Sequence, residues 1–190
     1  MKTLCKMILA FFLIFSLLPV QNSSAHSCTA YGETYGYWID CSNHQAGKYF
    51  SYNTASGMSS LYQTFVTGGV GKWNSTGVVS ISRSSSYSIN GYVHTYTDSN
   101  TSIVAAFYNY VSNGSGHLTQ WSIKMNTAIM DGRTGAKNQE TMAHEMGHAI
   151  GLNDLYLSGN QGVLMYGYSD RTATSPTSKD QTGAAKAVGN

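Results

Sequence analysis

One run of residues constrains this chain more than any other: His144-Glu145-Met146-Gly147-His148-Ala149-Ile150-Gly151-Leu152-Asn153-Asp154. Met142, Met146, Ala149 and Ile150 share one apolar face at helical spacing, which predicts a helix over about residues 136–150, ended by Gly151. Positions i and i+4 of a helix lie one turn apart, so His144 and His148 present their imidazoles to a single point. Gly151 allows a sharp left-handed turn, after which Asp154 can return an oxygen to the same point. Two imidazoles and a carboxylate are the donor set of a catalytic zinc whose fourth position stays open to water. Asn153 offers only a neutral amide oxygen, a weaker donor, and the alternative role for Asp154 is to orient a ligand. Glu145 sits beside that face, where its carboxylate can take a proton from a zinc-bound water and pass it to a leaving amine, as peptide hydrolysis requires. With 6 His in 190 residues, a His-Glu-x-x-His run arises by chance only about 0.003 times in a chain of this composition.

The start of the chain reads as an address. Lys2 and Lys6 precede an apolar stretch from Met7 to Leu18, then Pro19 and a small-residue segment ending Ser23-Ser24-Ala25. This pattern predicts a secretory signal peptide over residues 1–25 and a mature chain from His26. The apolar run is shorter than the roughly 20 residues that cross a bilayer, and nothing later approaches that length, so no membrane association is expected after cleavage. Cys28 and Cys41 then remain as a pair in an oxidising compartment, which predicts a disulfide; a redox or metal role is the alternative. The two N-terminal lysines account for the whole formal net charge of +2, so the basic footprint of a nucleic-acid binder is absent. Only 11% of residues are charged while 42% are hydrophobic, which excludes charge-driven disorder and coiled coil.

Residues 26–190 contain no repeat, linker or charge block and are read as one α+β domain. Met58, Leu61, Tyr62, Phe65 and Val66 recur at helical spacing and predict a helix from about Gly57, weakened at Gly68-Gly69. Strands are predicted at 48–52, 78–82, 91–97, 103–110 and 120–126. Thr177 with Asp180 forms a capping-box pattern opening a last helix, closed by Gly189. His26, His44, His94 and His117 are isolated in sequence and are read as ordinary surface or core residues.

The stretch from Thr141 to Asp154 resembles the metzincin zinc peptidases, and its flanks are similar to the matrixin branch. Val163-Leu164-Met165-Tyr166 is similar to the Met-turn, in which a methionine packs beneath the metal, and Thr177-x-x-Asp180-x-x-Gly183 matches the closing helix of that branch. Matrixins place a histidine where this chain has Asp154; an aspartate there resembles snapalysin. The resemblance is specific from about Gln120 to Gly189. It implies a twisted mixed sheet of about five strands with an active-site helix and a C-terminal helix. It also implies one catalytic Zn2+ on His144, His148 and Asp154, Glu145 as general base, and Met165 as an apolar floor. A structural Ca2+ is common in such proteins, yet no Asp-rich loop here specifies one. The function so read is a secreted, monomeric endopeptidase acting on proteins or peptides, its substrate extended along an edge strand containing Ile123 to Asn126. The competing reading is a secreted zinc-containing protein that uses the same cleft for recognition without catalysis.

Overall fold

The computed structural model of the chain describes residues 26–86 and 90–189, so the signal peptide read over residues 1–25 lies outside the described residues. An N-terminal ribbon pairs β1 (Tyr31–Gly32) with β2 (Tyr37–Trp38). β3 (Tyr49–Thr54), α1 (Ser60–Asn74), β4 (Ser80–Arg83), β5 (Gly91–Tyr96), β6 (Ala105–Ser112) and β7 (Leu118–Asn126) follow. The chain ends with the single turn α2 (Thr127–Met130), then α3 (Gly135–Ile150) and α4 (Ser178–Ala187). The sheet order is β4-β3-β5-β7-β6, parallel throughout except for β6, which runs antiparallel to β7 on an outer edge. This is the mixed five-stranded α+β architecture expected, with each strand within a few residues of its predicted span; the β1–β2 ribbon and α2 were not foreseen.

The strand expected to sit on the edge does not. β7, which contains Ile123 to Asn126, is paired on one side to β5 and on the other to β6. Trp121, Ser122, Ile123, Met125 and Asn126 are all buried, the burial on both faces that marks an interior strand. The edges belong to β4 and to β6, whose Tyr108, Tyr110 and Val111 stand exposed.

α1 provides the crossover that a parallel β3–β4 pair needs, and it lies against α3. It begins one turn later than read, at a Ser59 cap that accepts the Tyr62 N–H, and it runs unbroken through Gly68-Gly69. The glycines are what the packing demands: a Cβ on Gly69 would run into Met142 and the backbone of Ala143, and one on Gly68 into Gln139. Their helix-propensity cost of about 1 kcal/mol each is offset by the close approach of α1 to α3. Trp73, fully buried on α1, donates its indole N–H to the carbonyl of Ala143 at 2.7 Å, tying the two helices where α3 enters the site.

Cys28 and Cys41 form the expected disulfide. With its cysteines 13 positions apart it closes a short loop, a constraint on the unfolded chain typically contributing about 2–4 kcal/mol. No helix among the described residues is long and apolar enough to cross a membrane.

Candidate metal centre

α3 opens at Thr134, whose hydroxyl accepts the Lys137 N–H, and from Thr141 to Gly147 every residue is buried. His144 and His148 sit one turn apart. Nδ1 of His144 faces the carbonyl of Leu164 at 2.9 Å and Nδ1 of His148 that of Leu152 at 2.7 Å. A carbonyl can only accept, so both Nδ1 atoms donate, leaving each Nε2 with its lone pair turned inward. These nitrogens stand 3.0 Å (His144) and 3.5 Å (His148) from Oδ1 of Asp154.

Asp154 reaches that point because the chain reverses at Gly151, which has φ 123° and no room for a side chain: a Cβ there would run into His44. The returning segment is pinned on both sides. The N–H of Asn153 donates to Trp38 at 2.8 Å, that of Leu155 to Met165 at 2.9 Å, and Gly167 donates back to Leu155 at 2.9 Å. Tyr156 donates its hydroxyl to Oδ2 of Asp154 at 3.1 Å, which leaves Oδ1 for the histidines.

Oδ1 of Asp154 is buried and has no hydrogen bond, although two nitrogens lie close. Three lone-pair atoms converging on one buried point repel each other unless a cation lies among them. The three donors lie within 4.8 Å of one another, and the N,N,O set suits a zinc-like ion. Without a metal a proton must serve. Burial works against a charged His148, but the Asp154 carboxylate at its Nε2 and then the charge of Glu145 outweigh it and push the ring up to about 9. Burial likewise opposes a charged Asp154, yet His144 and His148 hold it far below the usual carboxylate range.

Met165 is 2% exposed and lies against Gly147, the residue before His148, where a Cβ would run into its sulfur. Asp180 accepts the N–H groups of Leu164 and Met165, so the fully buried acid that caps α4 also fixes the loop carrying Met165. Sequence reasoning assigned Asp180 only the cap and gave Tyr156 no role.

Beside these residues runs a cleft of about 370 Å³, walled on one side by Ala105, Ala106 and Phe107 of β6 and on the other by His144, Glu145, His148, Asp154 and Gly167. A pocket of about 230 Å³ adjoins it beyond His144 and Glu145, with Arg133 and Arg171 in its wall. Nη1 of Arg133 and Nε of Arg171 are buried there without acceptors.

His26, His44 and His117, isolated in sequence and expected to be ordinary surface or core residues, instead come together behind Gly151, with ring centroids 5.0–5.3 Å apart. No local signal joins them, because long-range pairing assembles the cluster: His44 and His117 meet in a β-bridge. His94 remains on β5, away from both clusters.

No protein-family model and no curated protein matches the sequence. Among solved structures, that of myroilysin matches with a TM-score of 0.52 at 10% identity, covering 80% of this chain and 98% of that one. The likeness is one of fold and fits a metzincin-type architecture.

Proposed function

We propose that the protein is a secreted zinc endopeptidase: residues 1–25 direct export, and residues 26–190 form a single catalytic domain. The observation that carries this reading is the convergence of His144 Nε2, His148 Nε2 and Asp154 Oδ1 beside Glu145, in a cleft walled by β6, whose outer edge is unpaired. His144, His148 and Asp154 would hold the metal, which when bound supplies a Lewis acid for the scissile carbonyl and lowers the pKa of water.

The chain's own residues then do the following. The free edge of β6 pairs with an extended peptide backbone and lays it along Ala105 to Phe107, across the face of His144 and His148. Glu145, buried at 6% exposure in the cleft wall, removes a proton from the attacking water and returns it to the departing amine. Leu164 and Leu152 hold the imidazoles through their Nδ1 atoms, and Tyr156 holds Asp154, so the site is formed before substrate arrives. Met165 floors the site without offering a ligand, its sulfur packed on Gly147.

The test is casein or peptide-library cleavage by purified protein with its metal counted. Glu145→Ala is expected to keep one zinc at this site and lose at least about 100-fold in turnover, while a chelator abolishes cleavage in the wild type. Asp154→Ala is expected to lose the zinc of this site and the activity with it. Undiminished cleavage by Glu145→Ala removes the general base. Zinc without any cleavage, across a broad library, leaves a binding protein.

A further inference from the structure

The cluster behind the cleft has the marks of a built site. His44 is fully buried and His117 is 3% exposed. Both ring nitrogens of His44 and Nε2 of His117 lie in the interior without any hydrogen-bond partner. His26 Nε2 sits 2.9 Å from the carbonyl of Ala187 and must donate to it, which leaves its Nδ1 with a free lone pair. One nitrogen from each ring lies within 4.8 Å of the others. Buried polar atoms are rarely left unpaired, and three in one cluster call for a shared partner.

We propose that His26, His44 and His117 form a second metal site, separate from the cleft, that binds one divalent transition-metal ion of zinc type through three imidazoles. Neutral imidazole is the ligand form, and the surroundings favour it. Burial first, then His117 and His26, hold His44 below the ordinary imidazole range, with only Asp40 pulling the other way; burial and His26 do the same to His117. No carboxylate belongs to the cluster.

The local backbone is shaped around these rings. The His44 N–H donates to Gly116 at 3.0 Å, and the N–H of Leu118 donates to His44 at 2.7 Å. Gly116 (φ 76°), Gly151 (φ 123°) and Gly189 (φ 72°) each bring backbone so close that a Cβ would strike Cys41, His44 and His26 respectively. The ion would thus tie three distant pieces together: the N-terminal segment carrying His26, the loop between β2 and β3 carrying His44, and the β6–β7 turn carrying His117, while His26 also reaches the end of α4 at Ala187. None of the three histidines lines the cleft, so the ion is a structural staple.

The experiment counts zinc by mass spectrometry after chelator stripping and dialysis against zinc, alongside melting curves with and without the metal. The wild type is expected to hold two ions per chain. His144→Ala/His148→Ala, which removes the cleft site, is expected to keep one and to melt higher with zinc. Adding His26→Ala, a half-buried position at the N-terminal end, is expected to remove that ion and the shift while the chain still unfolds cooperatively. In the otherwise wild-type chain, His26→Ala is expected to lower the count by one and retain cleavage. No zinc on His144→Ala/His148→Ala, or an ion that survives the added His26→Ala, overturns the proposal. Because the first result is read without the cleft ligands, it stands or falls independently of the peptidase assignment.

Discussion

Asp180 accepts the backbone N–H of Met165 at 3.1 Å while its other oxygen accepts that of Leu164 at 3.0 Å, and Leu164 in turn holds the imidazole of His144. The same carboxylate takes the N–H of Thr177 at 2.7 Å, so the cap of α4 and the support of a candidate ligand are one group. Asp180→Ala strands two buried N–H groups and removes a helix cap. We expect a loss of about 3 kcal/mol or more in urea unfolding and roughly 10-fold weaker zinc binding at the cleft site. Asp180→Asn retains one acceptor oxygen and is expected to fall between. A Asp180→Ala chain as stable as the wild type would deny the carboxylate this role.

Gly147 is the helix position where Met165 needs room, since a Cβ would strike the sulfur and come within 3.3 Å of Trp73. Both neighbours are buried, so the clash has no outlet toward solvent. Gly147→Ala gains helix propensity worth about 1 kcal/mol but overpacks the core at a cost of about 1–3 kcal/mol. A net loss in melting temperature is therefore expected, and Gly147→Ala/Met165→Ala, which vacates the space, is expected to recover part of it. A gain in stability from Gly147→Ala alone would show that the methionine can move aside.

These two contacts mark what could be read from the sequence. The spacing of His144, His148 and Asp154 is local: helix period places the first two and one glycine with positive φ returns the third, so a short window contains the geometry. The start of α4 was equally local, because Thr177 and Asp180 are three residues apart. Asp180's hold on Met165 lies 15 residues away and needs the tertiary fold. The edge strand was misplaced because β7 and β6 are both apolar and aromatic, and only strand order decides which one faces open space. The histidine cluster was illegible for the same reason: its members belong to an N-terminal tail, a loop and a hairpin turn that meet only after the sheet forms.

The pocket beside His144 contains buried guanidinium atoms with no acceptor, Nη1 of Arg133 and Nε of Arg171. Burial depresses both arginines, with Glu140 partly compensating Arg133, and Glu145 then Glu140 partly compensating Arg171. A substrate carboxylate entering the pocket would supply the missing acceptor. We expect a peptide library to be cut preferentially where an Asp or Glu side chain fills this pocket next to the scissile bond, by about 10-fold or more over the matching amide. Arg171→Met is expected to erase much of that preference with a smaller effect on neutral peptides. Equal cleavage of acidic and amide peptides by the wild type would assign the arginines to structure alone.

The proton that stands in for the metal gives the stripped protein a pH signature. His148 is held at about 9 in the fold against 6.5 for the free side chain, so its contribution is complete below pH 6.5 and is lost as pH rises through 9. Asp154 is lowered, so its share is present above its free value of 3.8 and is lost only as pH falls below that. His44, His94 and His117 are also lowered, and they subtract stability below pH 6.5, where the unfolded chain takes up the protons they refuse. The metal-free chain is therefore expected to be most stable near pH 6.5 and to lose about 2 kcal/mol by pH 9, on the order of the His148 shift. Zinc entering the cleft site must expel the His148 proton, so its apparent affinity is expected to rise between pH 7 and 9 with about one proton released per ion, read by calorimetry in buffers of different ionisation enthalpy. The measurement is cleanest in His26→Ala, where the second cluster is broken. A stripped chain that gains stability from pH 6.5 to 9, or zinc binding there without proton release, would mean that His148 is neutral in the metal-free site and that Asp154 exerts no hold on it.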